Sequence, residues 1–354
     1  MIDSVRVLVP PDDQPGLRRS RILRGLIRET GGFVALTVLS PLLLLAAAAV
    51  DLTLWLKRRK PWMAVRLLVL VWWFLLCELR GLGGVLRTWI VSGGPRARDT
   101  PARRRRVYRL QVQWATRNLA CVRRLWRLRF EVEGQELIGS GPLIVFYRHA
   151  SIIDNALPAE LISKAQGIDL RYVLKDDLQS LPTLDIGARW VPTCFVHRAS
   201  DDPAREIARV RMLAHDLTGE RDGVLIFPEG TRGTPAKLAA LKAREDIGDD
   251  DLRDRVAQLQ QLLPPRTGGP LAVLDEAPQA AVVICGHTGL EGFNTTRTLW
   301  GGELVDATIR VRFWRHERAE LPDDPDELAE WLFDRWQELD DWTAGKREPA
   351  SALG

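Results

Sequence analysis

Acidic side chains are scarce in the first third of this chain. Residues 1–130 hold 7 Asp+Glu against 25 Lys+Arg, a net +18, and residues 131–354 hold 39 against 25, a net −14. The overall charge of +4 hides that split. Such asymmetry calls for an anionic surface beside the first third, a membrane or a nucleic acid. No helix-turn-helix, zinc or RNA-binding signature accompanies the charge, so a nucleic-acid partner is not expected. Cysteine is also sparse. Cys77, Cys121, Cys194 and Cys285 stand far apart with no C-x-x-C pair, which excludes a zinc ribbon and leaves no disulfide scaffold. Reduced thiols facing the cytosol are the expectation. No metal-ligand spacing is present, so no metal and no cofactor are expected. A G-x-S-x-G nucleophile elbow is missing too. With 46% hydrophobic and 27% charged residues, a disordered chain is excluded.

Charge of either sign is absent from 33–50, inside the run FVALTVLSPLLLLAAAAVDLTLWL at 33–56. A helix of roughly 20 apolar residues crosses the hydrocarbon core of a bilayer. A second run, LLVLVWWFLLC at 67–77, extends to Ile90 only by carrying Glu78, Arg80 and Arg87. The link between the runs is Lys57-Arg58-Arg59-Lys60-Pro61-Trp62. Further basic clusters flank the pair: Arg18, Arg19, Arg21, Arg24 and Arg28 before it, and 103–106 after it. Basic residues favour the cytoplasmic side, so two full spans would strand the basic link on the far side. A hairpin dipping into one leaflet keeps every basic cluster among the headgroups. Both topologies stay open at this stage. Trp72 and Trp73 fit either interfacial anchoring or packing between helices. From 103 to 129, Val107, Leu110, Trp114, Cys121, Leu125 and Leu128 form one apolar stripe on a basic helix, which suits either anionic lipid or the domain that follows.

Beyond 129 the texture alternates. Strand-like runs at 130–132, 143–147, 170–174, 224–227, 281–285 and 308–314 are separated by helical segments. This predicts an α/β fold, layered around a mostly parallel or mixed central sheet and preceded by an N-terminal hydrophobic helical hairpin. The charged stretch 235–263 reads as a helical insertion, and 325–342 as a core-covering helix capped by Asp323 or Asp324. The expected organisation is a basic segment 1–32, a membrane-associated hairpin 33–95, a basic amphipathic helix 96–129, an α/β domain 130–343 and a tail 344–354.

Two stretches carry chemistry, each leaving the carboxyl end of an apolar strand, where α/β sheets gather ligands. In Arg148-His149-Ala150-Ser151-Ile152-Ile153-Asp154, a carboxylate one helical turn into the next element can fold back on His149, fix its tautomer and support its cation. In Phe227-Pro228-Glu229-Gly230-Thr231-Arg232, a glycine, exposed amides, a hydroxyl and a guanidinium suit a phosphate. The other four histidines, His197, His215, His287 and His316, have no partner pattern and read as structural.

Taken together, these stretches resemble the glycerolipid (lysophospholipid) acyltransferases, over about 130–289. The family's H-x4-D block is matched by His149 and Asp154, and its F-P-E-G-T-R block in full by 227–232. Lys175, Leu178, Pro182, Gly187 and Phe195-Val196-His197-Arg198 fit the block between them. Leu263-Pro264-Pro265-Arg266-Thr267-Gly268 is similar to a Leu-Pro-Arg-Thr stretch of some members. Two positions depart: Arg148 stands where Asn is common, and Ala280-Ala281-Val282-Val283 where a Val-Pro pair is usual. The resemblance implies a membrane-bound acyltransferase. It would move a fatty acyl group from acyl-CoA or acyl-carrier protein to a lysophospholipid hydroxyl, foremost lysophosphatidic acid. His149 would be the general base, Asp154 its orienter, and Arg232 and Arg198 the phosphate grip. Glu229 would shape the loop or accept an acceptor hydroxyl, Gly230 and Thr231 would complete it, and Arg148 would add positive charge. Acylation of another lysophospholipid or a glycolipid headgroup, and a catalytically idle lipid-binding protein of the same fold, are the alternatives.

Overall fold

The apolar runs fold as two antiparallel helices, α1 (Pro15–Arg58) and α2 (Ala64–Val91), in a computed structural model that describes residues 15–96, 98–197, 201–244, 246, 248 and 250–346. Helix α1 starts at Pro15, so the boundary expected at 32/33 falls within it. Asp51, expected to be a lone charge near the end of an apolar run, is buried and caps α2. Its carboxylate accepts the N–H groups of Met63, Ala64 and Val65 at 3.0, 2.9 and 2.9 Å. Trp72 donates to Thr37 Oγ1 at 2.9 Å and Trp73 to the Arg117 carbonyl at 3.2 Å, so both pack between helices.

Both ends of the hairpin are seated on the rest of the molecule. At the start of α1, Arg18 and Arg21 reach the fully buried Asp185, which also takes Arg189, while Arg28 donates to the Ser180 carbonyl. These arginines, expected among headgroups, are thus committed to the protein. At the turn, Lys60 lies 4.4 Å over the Trp300 ring, Met63 is fully buried and Arg66 donates to the Leu125 carbonyl at 2.7 Å.

Helix α3 (Pro101–Trp126) begins where Thr100 Oγ1 accepts the Arg103 N–H at 3.2 Å. Its apolar residues serve two neighbours, so the single expected stripe is split. Ala115, Leu119, Val122 and Trp126 are buried against the sheet. Leu110 and Trp114 face α2: a Cβ on Gly84 would lie 2.5 Å from Leu110, and Trp114 Nε1 donates to the buried Glu78 at 2.6 Å.

Seven strands form one sheet: β1 (Arg129–Glu133), β2 (Leu143–Tyr147), β3 (Asp169–Lys175), β4 (Thr193–Val196), β5 (Asp222–Ile226), β6 (Ala281–Thr288) and β7 (Thr308–His316). Their order is β1-β7-β6-β2-β5-β3-β4, parallel except for the β6–β7 pair. Strand β2 explains why its sequence is apolar without alternation. Its pleat sends Leu143, Val145 and Tyr147 into the core under α3 and the hairpin, and Ile144 and Phe146 into the opposite core. The second core is roofed by α4 (Pro203–Leu213), α7 (Gly268–Glu276) and α8 (Pro325–Lys346), giving three layers. The charged insertion folds as α5 (Pro235–Lys242) and α6 (Asp250–Gln258). Asp324 caps α8 by accepting the Asp326 and Glu327 N–H groups. Of the expected tail, residues from 347 onward lie outside the described residues.

Candidate active site

Strands β2 and β5 are parallel neighbours with Phe146 opposite Ile226, so the loops that follow them emerge side by side. The two chemical stretches, some eighty residues apart, meet there on one histidine. Glu229 Oε1 accepts the His149 N–H at 2.8 Å, and the Gly233 N–H donates to the His149 carbonyl at 2.7 Å. The Phe227 ring lies against the imidazole with centroids 4.4 Å apart. The 227–233 loop therefore grips His149 by both backbone groups and by a ring face.

The His149 side chain, 11% exposed, donates from Nδ1 to Asp154 Oδ2 at 3.0 Å. Asp154 is fully buried, and Oδ2 also accepts the Ala150 and Ser151 N–H groups at 2.6 and 2.8 Å. Its Oδ1 accepts the Ser151 hydroxyl. Burial works against this charge, yet the facing imidazoles of His287 and His149 hold the carboxyl well below the usual carboxylate range. An ionised Asp154 fixes the His149 proton on Nδ1 and leaves the Nε2 lone pair unpartnered among the described residues, as a general base requires.

His287, which the sequence gives no partner, stands behind this pair. Its Nε2 lies 3.4 Å from Asp154 Oδ1 and 3.2 Å from the Arg148 carbonyl, and its side chain is fully buried. Only folding brings β6 beside β2, so no spacing signal could have found it. His197 and His215 face Asp176 and Glu276 at 2.6 and 2.9 Å.

The expected phosphate-side residues divide. Glu229 is buried, with Oε1 on His149 and Oε2 accepting the Leu263 N–H at 3.2 Å. Both oxygens are thus engaged in shaping the loop. Burial pushes its carboxyl up to about 7. Gly230 has φ +66°, a conformation that favours glycine, and closes a turn onto the Phe227 carbonyl at 2.9 Å. Thr231 Oγ1 accepts from Lys237 at 2.9 Å, and the half-buried Arg232 donates to the Asn294 carbonyl at 2.8 Å. Arg148 is turned inward. It is 4% exposed, donates to the His287 carbonyl and pairs with Glu291 at 2.7 Å, so its charge is neutralised and has almost no surface to offer a phosphate. Arg198 lies outside the described residues.

An apolar cavity of about 480 Å³ adjoins the segment that carries His149 and Asp154. Its lining includes Ile152, Ile153 and the adjoining Asn155, together with Leu70 and Phe74 of α2 and Trp114 of α3. No cluster of His, Cys, Asp or Glu suited to a metal ion occurs among the described residues.

Residues 129–268 match the family model described as Acyltransferase. Over 116 residues the chain is 28% identical to a Caenorhabditis elegans protein named "Putative 1-acyl-sn-glycerol-3-phosphate acyltransferase acl-1", covering 32% of this chain and 42% of that protein. The chain thus spans about two fifths of the length of that relative. The crystal structure of the 1-acyl-sn-glycerophosphate acyltransferase PlsC from Thermotoga maritima aligns over 77% of this chain and 99% of its own, at 14% identity and a TM-score of 0.46.

Proposed function

We propose that this chain, whose residues 129–268 match the Acyltransferase family model, acylates a lysophospholipid at a membrane surface. The acceptor we assign is lysophosphatidic acid and the product phosphatidic acid, with acyl-CoA or acyl-carrier protein as donor. In this reading the acceptor hydroxyl attacks the thioester carbonyl while His149 Nε2 takes its proton. The tetrahedral adduct then expels the thiolate, which recovers that proton from His149, so no acyl-enzyme forms and no metal takes part. Asp154 orients the imidazole and balances its transient charge. Arg232 meets the acceptor phosphate. The observation that carries the reading is the His149–Asp154 pair, gripped by the F-P-E-G-T-R loop, with an apolar cavity lined by Ile152, Ile153 and Asn155 of the same segment. That cavity suits a fatty acyl chain, being concave, apolar and within the size range of ligand sites.

A lysophospholipid acceptor and an acyl chain both partition into lipid, and the exposed apolar surface supports a seat upon the membrane. Among the described residues, all the large exposed hydrophobics lie between Leu17 and Val91 except Leu137, Ile152, Ile207 and Trp300. Helix α1 is long and apolar enough to cross a bilayer by length and composition, and its apolar window is unburied. Because the hairpin's turn and its start both sit on the α/β layers, we read it as lying along one leaflet, with the active domain on the cytoplasmic face. An assay of the purified full chain with a panel of lysophospholipids and lysoglycolipids, read by product mass, tests the acceptor. Phosphatidic acid from lysophosphatidic acid is the expected product, and transfer only to a phosphate-free acceptor would refute the assignment.

A further inference from the structure

Residues 260–266, which link the insertion to α7, form no helix or strand, yet are fixed from two sides. From α8, the fully buried Asp340 accepts the N–H groups of Gln260, Gln261 and Leu262 at 2.6, 2.7 and 2.7 Å. Trp336 Nε1 donates to the Leu263 carbonyl at 3.0 Å. From the catalytic loop, Glu229 Oε2 accepts the Leu263 N–H and the Pro228 carbonyl accepts the Arg266 N–H at 2.8 Å. Ordering an irregular segment costs backbone entropy, and burying a carboxylate requires donors on it. Here two buried carboxylates and an indole are committed to a seven-residue segment that ends on the exposed Arg266.

The Arg266 Cδ, Nε and Cζ lie 3.0, 3.1 and 3.4 Å from where a Cβ on Gly230 would sit, so the guanidinium lies across the turn that precedes Thr231 and Arg232. The other cations of the site are engaged: Arg148 with Glu291, Arg232 with the Asn294 carbonyl, and Lys237 with Thr231 and the Arg232 carbonyl. Arg266 is an exposed residue, and its guanidinium has no hydrogen bond or ion pair among the described residues. A planar fork without a partner, laid on a glycine turn, is suited to bidentate capture of a phosphate.

We propose that Arg266 is a phosphate-binding residue of the site, and that α8 acts through Asp340 and Trp336 as the brace that positions it. This rests on the acyl-transfer reading only for the source of the phosphate. The acceptor headgroup and the phosphates of a CoA donor share the same chemistry, and the test separates them. Binding of hexanoyl-lysophosphatidate, of CoA and of phosphate-free hexanoylglycerol would be measured by calorimetry on the detergent-solubilised full chain. Arg266→Ala should weaken one phosphate ligand by on the order of ten-fold, with the loss confined to phosphate-bearing ligands. Which of the two loses affinity identifies the source. Arg266→Lys should recover part of the loss, since it keeps the charge without the fork. Asp340→Asn should weaken the same ligand with the guanidinium intact. Unchanged affinity for both phosphate ligands in Arg266→Ala overturns the assignment, as does failure of the wild-type chain to bind either. Binding without transfer of an acyl group from any donor would refute the acyl-transfer reading and leave Arg266 in place.

Discussion

At the residue scale, the charge on Asp154 is shared among several donors, and His287 is one of them. Losing the His287 contact removes one of the groups that hold the Asp154 carboxylate against the His149 N–H. His287→Leu should therefore lower kcat with KM little changed, and His287→Gln, which keeps an N–H donor, should restore it. An unchanged kcat accompanied only by a lower Tm would make His287 a packing residue. Glu229 gives a pH signature. Its carboxyl is raised from 4.5 to about 7 by burial, so the folded state binds a proton more readily than the unfolded chain. The stability it contributes is fully present below about 4.5 and is lost as pH rises through about 7. A Tm series from pH 4.5 to 8 should show that loss in wild type and a flatter difference in Glu229→Gln; parallel curves would contradict the burial argument. His149, Asp154 and the 227–232 loop are legible in the sequence because each is a local pattern of residue types. The inward turn of Arg148 is not, because Glu291 reaches it only through folding.

Elements show the same division. The strand runs at 143–147 and 281–285 can be read directly, since strands buried on both faces are apolar throughout. Strand β4 is missed: it is four residues long and pairs only with β3. The two-sided burial of α3 escapes a single-stripe reading because the sequence does not say that α2 will cover its other flank. The charges of the hairpin mislead most. Asp51 and Glu78 look like penalties within apolar runs, yet one caps a helix and the other accepts an indole N–H. What remains on α1 is an outward apolar surface that includes Val38, Leu42 and Leu45, each at least 68% exposed. Lysines at all three positions should release the full chain from phosphatidylglycerol-containing vesicles in a flotation assay while its circular dichroism stays unchanged. Continued flotation would place the membrane contact elsewhere.

For the whole molecule, topology does what neither motif does alone. The parallel pairing of β2 and β5 brings two loops out at one end of the sheet, and α2 of the hairpin helps to line the apolar cavity that adjoins the first of them. The order of motifs and strands in the sequence suffices to expect a shared cleft. The cavity cannot be read there, because its lining comes from the hairpin, α3 and the sheet in turn. The central claim is that His149 is the base for acyl transfer to a lysophospholipid hydroxyl within this assembly. The most direct test is the steady-state rate of phosphatidic acid formation by His149→Ala beside wild type, with circular dichroism confirming the same fold. A fall in kcat of about 10²-fold or more, with lysophosphatidic acid still bound, is the result expected of a general base. Turnover within a few-fold of wild type would contradict the account.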